Sequence, residues 1–113
     1  MTFESNIFIH EAQIPWEYPE DGVKRKILGY DDKVMLVKVV FEPGAVGAQH
    51  HHEHSQSSYV AEGSFEVTID GKVEVLKKGD SFYVPSNKVH GVKALEAGVL
   101  IDAFSPVRED FLL

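Results

Sequence analysis

Four of this chain's six histidines fall within five residues, in the run Gln49-His50-His51-His52-Glu53-His54-Ser55-Gln56. Imidazole is the commonest metal ligand, and several such donors close together suit a mononuclear centre. In an extended strand, residues i and i+2 point the same way, so His50 and His52 face one cavity while His51 and Glu53 face away. Gln56 opens the next strand-like run and can return its side-chain oxygen to that cavity. A fourth donor is available from His90, in the turn-rich stretch Pro85-Ser86-Asn87-Lys88-Val89-His90-Gly91. His10 lies in an irregular N-terminal stretch and is expected at the surface. The competing reading of the cluster is a solvated polar loop that happens to be rich in histidine. Nitrogen and amide-oxygen donors accept nickel, zinc, iron, manganese or cobalt, so the donor set does not choose the ion.

The elements that must position these donors are short strands. Val34 to Phe41 is β-branched and nearly continuous, as expected for a strand buried on both faces, and Pro43-Gly44 ends it. Phe65, Val67 and Ile69 alternate with polar residues, then Asp70-Gly71 intervenes, then Val73 and Val75 alternate again. That pattern predicts a two-residue hairpin, because Asp-Gly tolerates positive φ. Ser81 to Val84, His90 to Leu95 and Val99 to Phe104 are further strands. Asp102 shares the inward face of the last with Leu100 and Phe104. Of Phe82 and Tyr83, one faces inward. No stretch sustains a helical period, so the chain is expected to be an all-β sandwich or barrel.

Composition narrows the function classes. A chain of 113 residues with 43% hydrophobic content holds one core. Eleven basic against 18 acidic residues give a net charge of −7, which argues against nucleic acid as a partner. Cysteine is absent, which excludes disulfides, thiolate metal sites and a cysteine nucleophile. No basic segment with an apolar stretch opens the sequence, and no apolar run is long enough for a membrane span. The expectation is a cytoplasmic protein with no membrane partner.

Two motifs carry a resemblance. Gly44-(x5)-His50-x-His52-(x3)-Gln56-(x6)-Gly63 resembles the first cupin motif, with Gln where many cupins have Glu. Gly79-Asp80-Ser81-Phe82-Tyr83-Val84-Pro85-x-Asn87-x-x-His90 resembles the second, with Asn87 where Gly is common. A closer resemblance, to the KdgF-type cupins (the pectin degradation protein family), covers most of the chain. It rests on Asp21-Gly22-Val23-Lys24-Arg25-Lys26-Ile27-Leu28-Gly29-Tyr30, on both motifs, and on the tail Asp102-Ala103-Phe104-Ser105-Pro106-Val107-Arg108-Glu109-Asp110-Phe111-Leu112.

The resemblance implies a small cupin β-barrel (double-stranded β-helix or jelly roll) in one domain over residues 1–113. Within it, residues 1–20 form a less regular segment that packs on a partner subunit of a homodimer. It implies metal-dependent linearisation of 4,5-unsaturated monouronates from pectin or alginate breakdown, by ring opening and ketonisation. One divalent ion would be held by His50, His52, Gln56 and His90, and the catalytic residues would be Asp102, Phe104 and Arg108. Three histidines and an amide leave the ion its full charge, which suits stabilisation of a leaving oxyanion.

Each catalytic assignment has a plainer alternative. Asp102, an acid on a core-facing position, is read as a general base or proton shuttle; the alternative is a structural carboxylate paired with Arg108 or a backbone amide. Arg108 suits bidentate capture of a uronate carboxylate; the alternative is an ion pair with Glu109 or Asp110. Phe104 forms a wall for the sugar or packs the core. His54 and Tyr83 are left open as supporting or proton-donating groups. Competing functions are another mononuclear metal cupin, such as a dioxygenase, and a non-catalytic sugar-binding cupin.

Overall fold

The structure is a computed structural model and describes residues 2–113. It is 56% strand and 6% helix, so the all-β expectation holds. Ten strands follow one another: β1 Glu17–Glu20, β2 Val23–Tyr30, β3 Met35–Phe41, β4 Val46–His50, β5 Ser55–Glu62, β6 Ser64–Ile69, β7 Lys72–Lys77, β8 Ser81–Val84, β9 His90–Ala94 and β10 Gly98–Ser105. They form a six-stranded sheet in the order β1-β2-β3-β10-β5-β8 and a four-stranded sheet in the order β4-β9-β6-β7. All pairings are antiparallel.

The Asp70-Gly71 hairpin forms as predicted. Both turn residues have positive φ, 51° and 78°, the geometry of a primed turn that matches strand twist. Between the sheets, Val23, Phe41, Val60, Phe65, Val67, Phe82, Val84, Ala94 and Leu100 make the larger core cluster. A second cluster, Met35, Val37, Phe104 and Val107, packs beneath the C-terminal tail. In β10 the period-2 reading is borne out: Gly98, Leu100, Asp102 and Phe104 are buried in alternation.

β3 corrects one expectation. Met35 and Val37 are buried but Leu36 between them is exposed, so the strand is not covered on both faces. Its β-branched run reflects a central place in a sheet whose outer face the chain covers only in part. The residues before β1 supply that cover. Trp16 lies against Lys24 and Lys26, and the Glu11 carboxylate meets Lys38 at 2.8 Å and Lys26 at 3.4 Å. Ile7 and Phe8 stay exposed.

The tail ends in a short helix that periodicity did not reveal, α1 Glu109–Leu112. A single helical turn is too short to establish a period. Among the described residues no helix is long and apolar enough to cross a membrane.

Candidate active site

His50 is the last residue of β4 and pairs directly with His90, the first of β9. The two strands approach closely here. A Cβ on Gly91 would lie 2.8 Å from Gln49 Cγ and 3.0 Å from the Gly47 carbonyl oxygen, so any larger residue would push the two histidines apart. The same-face argument for His50-x-His52 needs adjustment, because β4 stops at His50 and His52 stands in the following loop. What aims His52 inward is a hydrogen bond from its ring Nδ1 to the His54 carbonyl, 2.9 Å.

The other two rings are held in the same way. His50 Nδ1 meets the Ala48 carbonyl and His90 Nδ1 meets the Lys88 carbonyl, each at 2.9 Å. A carbonyl can only accept, so each Nδ1 carries a proton, and Nε2 is the nitrogen that presents a lone pair when the ring is neutral. The three histidines offer ring nitrogens all within 4.8 Å of one another. Their ring centroids are 4.5 to 5.4 Å apart. Burial pushes the His90 imidazole down to about 4. Burial, followed by the Arg108 charge, also lowers His52. Both rings are therefore neutral near pH 7, the state in which imidazole binds a metal.

Gln56, buried at the start of β5, turns its Oε1 to within 3.2 Å of His52 Nε2. Its amide is locked from behind. Gln56 Nε2 donates to Ser58 Oγ at 2.9 Å, and the Ser58 hydroxyl donates to Asp102 Oδ1 at 2.6 Å. An ionised Asp102 can only accept, so Ser58 must spend its proton there and can only accept from Gln56. The amide oxygen is thereby turned toward the histidines. His90 Nε2 is buried with no hydrogen-bond partner, and an orphaned lone pair of this kind calls for an explanation. Three imidazoles with ring nitrogens within 4.8 Å of one another, one of them orphaned, fit a divalent cation, and the Gln56 amide oxygen lies beside His52.

The group faces a cavity of about 330 Å³ between the sheets, lined also by Arg25, Phe82, Asp102, Phe104, Arg108 and Phe111. Asp102 is buried, and desolvation raises its carboxyl to about 6 although the Ser58 hydrogen bond and the Arg108 charge pull the other way. Arg108 is also buried. Its Nε and Nη2 bind Asp110 Oδ1 and Oδ2 at 3.0 and 2.8 Å. Its guanidinium carbon lies 4.2 Å from the Phe111 ring centre and 5.1 Å from that of Phe104. The ion-pair alternative for Arg108 is thus present, while the partner of Asp102 is Ser58 rather than Arg108. Phe104 serves core and cavity together: it is 4% exposed and meets the His52 ring edge-on at 5.8 Å.

Tyr83 is 62% exposed on the outer face and does not line the cavity; Phe82 is the inward member of that pair. His54 donates from Nε2 to the Val107 carbonyl at 3.0 Å, which ties the histidine loop to the tail beside Arg108. His10 and His51 are exposed, as expected. Two cavity features escaped the sequence reading. Ser58 is one of three serines in β5, and its partner is defined only by the register with β10. Arg25 lies between two lysines whose side chains face the other way.

Two antiparallel sheets with a cluster of histidines at the open end define a small cupin, and residues 37–104 match the Cupin domain family. The pectin degradation protein KdgF of Dickeya dadantii (strain 3937) is 52% identical over 104 residues, 90% of this chain and 94% of that protein. The solved structure of KdgF from a Halomonas species superposes with a TM-score of 0.89 at 40% identity, covering 95% of this chain and 99% of the other. An RmlC-like cupin from Shewanella frigidimarina NCIMB 400 superposes with a TM-score of 0.93 at 47% identity, covering 96% and 97%. The chain belongs to the KdgF-type cupins.

Proposed function

We propose that this chain is a metal-dependent enzyme that linearises 4,5-unsaturated monouronates released from pectin or alginate, yielding 4-deoxy-5-keto uronates. The observation that carries the proposal is the pairing of a three-histidine cluster with a buried carboxyl, Asp102, in one small cavity. The 52% identity to the pectin degradation protein supports the substrate class.

The reaction moves protons and breaks one ring bond without net oxidation. The anomeric hydroxyl loses a proton, the bond between the anomeric carbon and the ring oxygen breaks, and the resulting enolate takes a proton at carbon 4. His50, His52, Gln56 and His90 would hold the divalent ion, which supplies Lewis-acid stabilisation of oxygen-centred negative charge. Asp102, with its carboxyl near 6, is available near neutral pH both to take and to return a proton. Arg108 keeps a cation at the cavity wall, where its field favours the ionised form of Asp102. Phe104 gives the sugar ring an apolar wall.

The proposal includes action in the cytoplasm and a homodimer. Exposed Leu36, Tyr59 and Tyr83 on the outer face of the six-stranded sheet, with Ile7 and Phe8 of the N-terminal segment, support the dimer. The decisive experiment adds an unsaturated monouronate to metal-loaded protein. Ultraviolet absorbance of the conjugated enol ether should decay with stoichiometric appearance of the linear keto acid. Binding without decay would leave a sugar-binding cupin, and decay that consumes oxygen would leave a dioxygenase.

A further inference from the structure

The substrate proposed above is a sugar acid, and the cavity must hold its carboxylate in a fixed place. Arg108 is the obvious cation, but its Nε–Nη2 edge is already occupied by both oxygens of Asp110. A second guanidinium lines the same cavity. Arg25 stands on the inward face of β2, one pleat beyond Val23 of the core.

We propose that Arg25 grips the substrate carboxylate and thereby makes the cavity selective for a sugar acid over a neutral sugar. The inference rests on the uronate reading of the site and adds a residue and a role to it.

Three observations carry it. A guanidinium has five N–H donors, and among the described residues Arg25 uses only Nε, in a 2.9 Å bond to Glu17 Oε1. Its two terminal nitrogens form a planar fork with no acceptor among the described residues, the shape that takes a carboxylate bidentately. The side chain is also held in place. Glu17 fixes one edge, and the guanidinium carbon lies 3.8 Å from the Phe111 ring centre, so little rotamer freedom is left to lose on binding. Finally, the fork sits at a useful distance. Arg25 pairs with Val39 and Val39 with Leu100, so its row lies one pleat from the row that holds Ile27, Val37 and Asp102. Arg25 is two strands across from β10, roughly 10 Å at the usual strand spacing. A monosaccharide held at Arg25 by its carboxylate can therefore extend toward Asp102 and the histidines.

The test uses Arg25→Lys, which keeps the charge and loses the fork, and Arg25→Ala, each checked for fold by far-ultraviolet circular dichroism. Turnover of an unsaturated monouronate by the metal-loaded proteins gives one arm. Competition by galacturonate, a saturated uronate, against its methyl ester gives the other. Wild type should bind the free acid better than the ester. Both variants should lose that preference and raise KM about tenfold or more with kcat much less affected, because the contact is made in ground and transition states alike. If folded Arg25 variants keep the wild-type KM and the preference for the free acid, or if wild type shows no preference, Arg25 is not the grip. If wild type fails to turn over the unsaturated uronate but binds galacturonate through Arg25, the reaction is wrong and the grip stands.

Discussion

Ser58 and Asp102 face each other across β5 and β10, and the Ser58 hydroxyl lies 2.6 Å from the Asp102 carboxylate. Both are buried, and Ser58 also accepts from the Gln56 amide. One hydroxyl therefore links the proposed base to a proposed ligand and determines which end of that ligand faces the histidines.

Removing that hydroxyl should loosen the metal before it damages the fold. Ser58→Ala leaves the Gln56 amide free to rotate, and loss of an outer-shell partner usually costs 10- to 100-fold in metal affinity, so a fall of about that size is expected. Competition against a chromogenic chelator would measure it. Unchanged affinity in a folded variant would show that Gln56 is oriented by something else.

The ligand set itself predicts about one divalent ion per chain in wild-type protein. His50→Ala and His90→Ala should each lower occupancy sharply in elemental analysis, since one lost donor leaves an incomplete shell. Loaded wild type should also melt higher than chelator-treated protein, because a ligand at 100 times its Kd stabilises by about 2.7 kcal/mol. Full occupancy in both variants would place the ion elsewhere.

Metal uptake should release few protons near neutral pH. Burial holds His52 below its ordinary value and His90 at about 4, so both are already deprotonated. Calorimetric titrations at pH 7 in buffers of different ionisation enthalpy should show release of no more than about one proton per ion. Release of two or more would mean that His52 or His90 is protonated in the metal-free protein.

Asp102 should trade stability for chemistry. A carboxyl raised on folding favours the protonated native state. Its advantage is complete below the unfolded value near 3.8 and is lost as pH climbs through about 6. Above that it costs roughly 3 kcal/mol. Asp102→Asn should therefore melt higher than wild type at pH 8, with the difference fading toward pH 4. Its turnover should fall by about 10²–10⁴, the usual contribution of a positioned acid or base. A folded, metal-loaded variant with near-normal turnover would falsify the catalytic role.

Arg108 should act on that same carboxyl. Its charge lowers the Asp102 pKa, so Arg108→Ala should move the acid limb of the kcat profile to higher pH. An unmoved limb would detach Arg108 from Asp102.

Much of this site is local and therefore legible in the sequence. His50, His52 and Gln56 occupy one short run, His90 follows a turn signal, and Asp102 is the lone acid in an apolar strand read at period 2. What escaped is set by pairing over long separations. Ser58 meets Asp102 only because β5 and β10 adopt one register. Arg25 cannot be distinguished from Lys24 and Lys26 until the inward face of β2 is known. The exposure of Leu36 was hidden by an apolar run broken only at Lys38, which looks alike in a covered strand and a half-covered one.

The ligand positions come from both halves of the barrel: His50 and His90 from the four-stranded sheet, Gln56 from the six-stranded sheet and His52 from the loop between them. An ion bound there would act as a clasp across the mouth of the barrel. Stripped of it, the loop and strand ends around residues 50–56 should open on their own while the β9–β10 turn at residues 95–97, at the opposite end of the strands, stays shut. Deuterium would enter the mouth first, and a protease would make its earliest cut there.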